Sequence, residues 1–431
     1  QKANINTVKY QSIFTLLMII TFSFVTVKLT YLIFEYFNQK SIIQFIILNV
    51  AVAISFINVF ILEWFLYPEI ALFYSLSIIS ILLAIVCFLK SDRWINSVLA
   101  FVLLCMSLNF YQAAMPIFVI YLLTIGMLRY KMTFSKKSLV YNIKVLSIAF
   151  LSCVNTLMLQ RLAILFKITE GGDRDASLSI STILHNAVEI IKLQKRIWYS
   201  TYDFLPRYAA IIVVLLLLLI FGFTVAKEFN MKNWCYFILV FLISYGIIFA
   251  PHLITESLWF AQRTIVAYFS IFMIIVCGTI YNHQKLNIDR LILGILTLFL
   301  FLNINAIQSI GANHYSNNKL DQNYAVMIQD QIDRYEQETG NIITKIACIV
   351  DSHPVYSYPG IKYTIFDTNV RGFVLPWADV NMINFYNGKN YEKVVMDEEI
   401  YNQYFAGKDW NRFIPEEQMK FVGDMLNLML Y

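Results

Sequence analysis

The stretch WINSVLAFVLLCMSLNFYQAAMPIFVIYLLTIGML, residues 94–128, decides the fold class because it runs for 35 residues without a charged side chain. As one α-helix it would be about 52 Å long, whereas the hydrocarbon core of a bilayer is about 30 Å thick. We therefore predict two shorter helices joined by a turn near residues 110–115, at or just below the outer interface. Non-helical backbone at that depth is tolerated only against protein or a water-filled cavity.

The most polar cluster in this stretch consists of Asn109, Tyr111 and Gln112, beside the predicted turn. Amides and hydroxyls at membrane depth need hydrogen-bond partners. We therefore predict that these three side chains line the floor of an outward-facing cavity. The alternative is that Tyr111 belongs to an interfacial aromatic belt and that its two polar neighbours serve the turn.

The whole chain has the composition of an α-helical polytopic membrane protein. Hydrophobic residues make up 59% of it and charged residues 14%, whereas a soluble domain has about 45–50% and about 25%. The uncharged runs predict about ten transmembrane helices: 11–33, 42–62, 69–89, 94–110, 113–128, 140–160, 205–226, 234–253, 264–281 and 291–308. A lipid bilayer is therefore an expected partner.

The orientation follows from Lys and Arg, which favour cytoplasmic loops. The basic short loops between predicted spans are 90–93, 129–137, 227–232 and 282–290. Placing them in the cytoplasm puts residue 1 and everything after residue 308 outside. Because the chain also begins with Gln rather than Met, we hypothesise that a removed segment or an upstream span precedes residue 1.

The last 123 residues differ from the rest. Residues 309–431 hold ten Lys and Arg against sixteen Asp and Glu, and their pattern predicts a helix at 320–340, a strand at 343–350 and a helix at 415–430. We therefore predict a transmembrane domain over 1–308 and a small extracytoplasmic α/β domain over 309–431. A chain of about 120 residues can bury its own core.

Arg263 lies at the predicted outer mouth of a span, next to Gln262 and close to Glu256. Arginine binds phosphate through two parallel hydrogen bonds. If the segment is helical, Trp259 lies on the same face as Arg263, four residues before it. The alternative is an interfacial anchor that pairs with Glu256 or with a lipid headgroup.

Glu63 and Glu69 flank another predicted outer turn, in EWFLYPE. Acidic side chains buried at a membrane mouth are costly and are often functional. The alternative is that both are solvated at the ends of their spans.

Two further outer segments carry polar patterns. The loop EGGDRDAS, residues 170–177, contains Asp-x-Asp, a pair that holds a metal against a nucleotide sugar in some transferases. Nucleotide sugars are normally absent outside, so we interpret it as a solvated loop. Residues 184–198 predict an amphipathic helix on the outer surface that either covers the cavity or rests on lipid.

Several chemistries are excluded by pattern. The sequence has no Walker loop, GxGxxG or HExxH, and its five histidines lack ligand spacing, so no metal site is predicted. Asp351, Ser352 and His353 are adjacent, which indicates turn chemistry rather than a catalytic triad. The excess of basic residues flanks the spans, so no nucleic-acid partner is expected.

Three segments carry a resemblance to a known family: LNFYQAAMPIFVIYLL (108–123), WFAQRTIVAYFSIFM (259–273), and LDQNYAVMIQDQI with PWADVNMINF in the tail (320–332 and 376–385). Together they resemble the bacterial polytopic glucosyltransferases of the O-antigen-modifying Gtr type. That family is similar to the GT-C class, which uses a polyprenyl-phosphate sugar as donor on the outer face. The resemblance implies transfer of a sugar, glucose in this family, to a cell-surface polysaccharide or other glycopolymer.

The resemblance also implies roles for the outer polar residues. Arg263 would hold the donor phosphate, and the cluster of Asn109, Tyr111 and Gln112 would bind the sugar. No cofactor is expected, and a divalent-metal requirement stays open. The partners would be a polyprenyl-phosphate sugar and a glycan acceptor, in the bacterial inner membrane.

The catalytic carboxylate is the part that the resemblance does not assign within the chain. In the family the catalytic acid usually lies in the first outer loop, which would lie upstream of residue 1. Weaker candidates are Glu63, Glu69 and Glu256.

Two other functions remain open from the sequence. The main alternative is a transporter or polymerase of lipid-linked surface polysaccharide, for which internal repeats and broken midplane helices are expected. We find no repeat between 11–160 and 203–308. The other is a non-catalytic scaffold, which would need no polar cluster at a sunken turn.

Overall fold

A computed structural model describes residues 10–37, 40–67, 70–168, 179–225, 230–256, 258, 260–281, 286–365 and 368–431. The chain divides into two compact units, Gln1–Ile307 and Gln308–Tyr431. Glu69, Trp259 and the Asp-x-Asp loop lie outside the described residues.

Helices make up the first unit. In chain order they are α1 Gln11–Phe34, α2 Ile42–Phe56, α3 Leu62–Leu66, α4 Ala71–Lys90, α5 Trp94–Phe110, α6 Met115–Arg129, α7 Lys136–Leu165, α8 Ile180–Ser200, α9 Ala209–Val225, α10 Met231–Ile247, α11 Ala250–Leu253, α12 Ile271–Tyr281 and the start of α13 Leu286–Thr339. The predicted amphipathic segment is the helix α8.

Several of these helices are compatible with a membrane protein. Among the described residues, those long and apolar enough to cross a bilayer are Gln11–Phe34, Ala71–Lys90, Gln112–Arg129, Lys136–Leu165 and Asn287–Thr339. Shorter apolar helices are Ile42–Phe56, Trp94–Phe110, Ala209–Val225, Met231–Ile247 and Tyr268–Tyr281. Each predicted span overlaps one helix of these two groups.

The centre of the first unit is formed by α6 and α12. Every residue of α6 from Met115 to Leu128 is buried, and α12 is buried from Ile271 to Ile280. A helix that is apolar all round must be surrounded by other helices. Gly126 permits one close approach, because a Cβ there would lie 2.4 Å from the Tyr141 ring of α7.

The predicted break in residues 94–128 is confirmed. The helix α5 ends at Phe110, Tyr111 is extended, and a short 3₁₀ turn, Gln112–Ala114, leads into α6. The two helices do not form a closely packed hairpin, because α5 packs mainly against α4 and α7.

A second interruption divides the predicted span 42–62 between α2 and α3. Asn58, which is fully buried, supports the irregular backbone between them. Its Nδ2 donates to the main-chain oxygens of Ile54 and Ser55, and its Oδ1 accepts from the amides of Phe60 and Ile61. Non-helical backbone away from water needs such partners.

A third interruption precedes α12. Residues 262–264 and 268–270 form 3₁₀ turns, and residues 258, 260 and 261 are not helical. The expectation that Arg263 continues a helical face is therefore wrong. The Arg263 amide and carbonyl groups, which a helix would pair internally, bond instead to side chains of other segments. The amide donates to Glu63, and the carbonyl oxygen accepts from Trp64 and Tyr111.

The second unit contains a four-stranded sheet in the order β2-β1-β4-β3. Its strands are β1 Lys345–Val350, β2 Glu392–Val394, β3 Met419–Val422 and β4 Met425–Leu430, with helices α14 Asp379–Asn387, α15 Glu398–Tyr404 and α16 Pro415–Gln418. The central strand β1 is parallel to both neighbours, and β3 is antiparallel to β4. The predicted strand at 343–350 is confirmed.

The predicted helix at 415–430 is wrong beyond its first turn. Only α16 is helical, and the remainder is the hairpin of β3 and β4. Gly423 has a φ of +60°, which suits the tight two-residue loop that joins the strands. The Gly-Asp pair between two apolar runs was the signal for a hairpin.

The predicted helix at 320–340 ends correctly, at Gly340 with a φ of +74°, but it is part of the much longer α13. No proline interrupts the chain between residues 291 and 339. In the second unit, one face of α13 supports irregular backbone at 355–365 and 368–372. Asn313 accepts from the amide of Lys362, Asn317 donates to the Val370 oxygen, and Asp321 accepts from the amide of Gly372.

Candidate functional site

A buried ion pair joins two of the interrupted segments of the first unit. Glu63 lies on α3 with its side chain 2% exposed, and Arg263 lies in the third interruption with its side chain 16% exposed. Arg263 Nη1 donates to Glu63 Oε1, and the Arg263 amide donates to Glu63 Oε2 at 2.8 Å. Both carboxylate oxygens therefore contact the same residue.

The main chain of Arg263 is also fixed through its carbonyl oxygen. Trp64 Nε1 donates to this oxygen at 3.2 Å, and the Tyr111 hydroxyl donates to it at 2.9 Å. Tyr111 comes from the interruption between α5 and α6. The first and third interruptions and the helix α3, which follows the second, thus meet at Arg263.

Aromatic rings enclose this meeting point. The Trp64 and Tyr74 rings are stacked with centroids 4.3 Å apart, and Tyr111 sets its edge against both at 5.0 and 4.9 Å. The Arg263 guanidinium carbon lies 5.1 Å from the centre of the Tyr67 ring. Rings at these distances exclude water and hold the guanidinium over a π face.

Burying the ion pair of Glu63 and Arg263 costs free energy of hydration. Removing two charges from water is repaid only when the geometry and hydrogen bonding are good, and a pair that loses one partner is strongly destabilised. Ionisable groups inside a membrane protein commonly mark substrate or ion pathways. The burial of Glu63 also overturns the alternative that it is solvated.

The structure does not bring all of the predicted site residues to this pair. Asn109 is exposed and donates to the Cys105 oxygen of its own helix at 2.8 Å. Gln112 is exposed in its 3₁₀ turn, and Glu256 is exposed before the third interruption. Of the polar cluster, Tyr111 hydrogen-bonds to the Arg263 carbonyl oxygen, and the acid that pairs with the Arg263 guanidinium is Glu63.

Gln262 is a site residue whose burial the sequence did not predict. Its side chain is 1% exposed, and within the described part of the chain neither its amide nitrogen nor its amide oxygen has a hydrogen-bond partner. Such a group costs about 1–3 kcal/mol unless water or a ligand satisfies it. The sequence feature that could have indicated a place in the site is its position directly before Arg263.

The comparison with known families bears on this geometry. The model of the family described as "Glucosyl transferase GtrII" matches residues 4–281, nearly two thirds of the chain. The chain belongs to the GtrII glucosyl transferase family. No curated protein and no solved structure gives a match.

The GtrII match includes the whole ion-pair region, with both partners and the three interruptions. It ends before α13 and the second unit. The family identifies the chain as a glycosyltransferase, more narrowly a glucosyl transferase. The resemblance to the Gtr-type enzymes is thereby confirmed.

The loop after β1 in the second unit carries the Asp, Ser and His that the sequence placed together. Ser352 donates to Asp409 Oδ1 at 2.7 Å, and His353 Nδ1 lies 2.8 Å from Asp409 Oδ2. The hydrogen bond from Ser352, and after it the one with His353, holds the pKa of Asp409 below its usual value. Because Ser352 contacts the carboxylate rather than the histidine, no nucleophile is activated there.

The described residues contain no group of three or more His, Cys, Asp or Glu side chains that could hold a metal ion. The site chemistry available from these residues is therefore that of a guanidinium, a carboxylate, an unpartnered amide and aromatic rings.

Proposed function

We propose that this GtrII family member is an integral-membrane glucosyltransferase that moves glucose from a polyprenyl-phosphate donor to a surface glycan such as O-antigen, on the outer face of the bacterial inner membrane. The observation that carries the proposal is the largely buried Arg263, fixed where three interrupted helices meet. A guanidinium in a site of low water content is suited to a phosphate that gains charge as the sugar leaves.

The reaction requires one bond to form and one to break. The acceptor hydroxyl oxygen attacks the anomeric carbon of glucose, and the bond from that carbon to the phosphate oxygen breaks. The bonding electrons leave with the polyprenyl phosphate, and a carboxylate takes the hydroxyl proton. Arg263 stabilises the leaving phosphate.

Glu63 would act as a positioning residue for Arg263. Both of its oxygens contact Arg263, so it orients the guanidinium and keeps it in place before the donor arrives. When a phosphate reaches Arg263, it competes with Glu63 for the guanidinium. An exposed acid such as Glu256 is better placed to exchange a proton with an acceptor than one held in this way.

Polar residues of the first and third interruptions would contact the sugar. Gln112 is exposed, and the amide of Gln262 is buried without a partner among the described residues. Amide and hydroxyl groups recognise sugar hydroxyls, because each can both donate and accept. Tyr111 contributes by fixing the Arg263 carbonyl.

The second unit would lie on the extracytoplasmic side of the inner membrane and contribute to acceptor binding. The net negative charge of residues 309–431 and the distribution of basic loops support this location. Protease added to intact, outer-membrane-permeabilised cells should cleave this unit. Cleavage only in inverted vesicles would place it in the cytoplasm.

Donor class is tested with the full chain reconstituted in lipid nanodiscs. We expect labelled glucose to pass from polyprenyl-phosphate glucose to the acceptor glycan. The matched control supplies the same label as UDP-glucose and should yield no transfer. Transfer from UDP-glucose in the absence of the lipid donor would contradict the proposal.

A further inference from the structure

One face of α8 is fixed to the rest of the first unit. The helix packs against α9 and α11, and Ile190 and Ile197 are buried in the contact. Asn186 is 1% exposed, and its Nδ2 donates to three main-chain oxygens, those of His252, Leu253 and Thr255, at 3.1, 3.2 and 2.8 Å. These bonds determine how the helix is rotated about its axis.

The opposite side of α8 carries a second apolar stripe. Its members follow one another at intervals of four, four and three residues, which places them on one helical face. They are exposed by 75, 62, 50 and 69%: Ile180, Leu184, Val188 and Ile191. A helix on the surface of a soluble domain needs one apolar face for packing, and this helix has two.

Basic side chains border the exposed stripe. Lys192 and Arg196 lie beside it, and Lys195 lies at its C-terminal end, four residues after its last member. All three are exposed, and Glu189 is the one acid of the helix. Lys192 contacts Glu189 at 2.6 Å, and Arg196 lies 3.5 Å from Asp203. Taken together, the border keeps an excess of positive charge beside the apolar stripe.

We infer that α8 is an in-plane membrane helix whose exposed stripe enters the acyl boundary of the bilayer while its basic border binds anionic phospholipid headgroups. Long basic side chains reach from an apolar stripe to headgroup phosphates. A segment of 21 residues that contains three basic side chains is unsuited to spanning the hydrocarbon core. This assignment concerns the lipid surface and does not depend on the proposed donor.

Depth-dependent quenching tests the inference on the full chain in nanodiscs. A fluorophore is attached to Leu184→Cys or, as the matched control, to His185→Cys, in a background without the native cysteines. His185 is also exposed but lies about a quarter turn away from the stripe. Lipids with a nitroxide near the carbonyl end of the acyl chain should quench the Leu184 position several-fold more strongly.

Equal quenching at the two positions would overturn the inference. So would a Leu184 signal that changes with protein density instead of with nitroxide lipid, because that result would identify a second copy as the occupant of the stripe.

A separate measurement tests whether the basic border binds anionic headgroups. Adding phosphatidylglycerol to phosphatidylcholine nanodiscs should increase quenching at Leu184, and the double variant Lys192→Gln, Lys195→Gln should lose most of that increase. An undiminished increase in the double variant would contradict the role of the basic border.

Discussion

Arg263 in the first unit and Arg371 in the second both have largely buried side chains, but their partners differ in kind. Arg263 pairs with the carboxylate of Glu63. Arg371 donates through Nη1 to the main-chain oxygens of Val355 and Tyr431, at 3.0 and 2.6 Å. Its guanidinium carbon also lies 3.9 Å from the centre of the Tyr431 ring.

The difference indicates what marks a site. The Arg371 guanidinium donates to main-chain oxygens and forms no direct ion pair among the described residues. It belongs to a network that holds an irregular segment against α13, and within this network the Tyr358 hydroxyl donates to the Asp321 carboxyl group at 2.7 Å. Burial raises the pKa of Tyr358, which keeps it a donor. Arg263 instead brings a charge and its counter-charge to a point where three helices stop. Burial alone therefore does not distinguish a site arginine from a structural one. What distinguishes Arg263 is its direct ion pair with Glu63 and its position where interrupted helices meet.

The largest effect should come from Arg371→Met, which keeps volume but leaves two buried carbonyl oxygens without a donor. We expect the second unit to lose roughly 4 kcal/mol of stability. Limited proteolysis of the full chain over a temperature series measures this loss. The matched control is the exposed Arg412→Met, and equal behaviour of the two variants would contradict a structural role for Arg371.

Glu63→Gln should cost somewhat less, roughly 3 kcal/mol, because the amide keeps one acceptor while Arg263 loses its counter-charge. Thermal unfolding of the solubilised full chain measures the change, with the exposed Glu35→Gln as control. Glucose transfer should fall as well. A variant that unfolds like the wild type and transfers at the wild-type rate would show that the pair has no positioning role.

The variant Gln262→Leu tests whether the buried Gln262 amide serves the fold or binds substrate. Replacing an unpartnered buried amide with an apolar group of similar size should leave stability unchanged or raise it. If the amide binds the sugar, glucose transfer should fall about tenfold, which corresponds to about 1.4 kcal/mol. Loss of stability with an unchanged rate of glucose transfer would show that Gln262 has a structural role and does not bind the sugar.

Tyr111→Phe should have the smallest effect. It removes one hydrogen bond to the Arg263 carbonyl, which contributes about 0.5–1.5 kcal/mol, so the transfer rate should fall about two- to tenfold. Tyr74→Phe is the matched control, because the Tyr74 hydroxyl is buried and has no partner in the described part of the chain. Equal rates for the two variants would remove Tyr111 from the support of Arg263.

Much of the helical framework could be predicted because apolar run length is a strong local signal. The break at Tyr111 followed from length alone, since residues 94–128 are too long for one span and too short for two complete ones. The hairpin near Gly423 was missed because its apolar strands were interpreted as a helix face. The pair of Glu63 and Arg263 could not be predicted, because 200 residues separate them and neither segment signals its partner.

The most direct test of the central claim measures donor use by Arg263→Lys in nanodiscs, with polyprenyl-phosphate glucose as donor. Lysine keeps the charge but loses the planar fork that matches phosphate. We expect the variant to insert and unfold like the wild type, yet to transfer glucose roughly 100-fold more slowly. A loss of this size is typical when an enzyme loses one hydrogen bond to the charge that develops in the transition state. Wild-type rates of transfer from the lipid donor in Arg263→Lys would contradict the account.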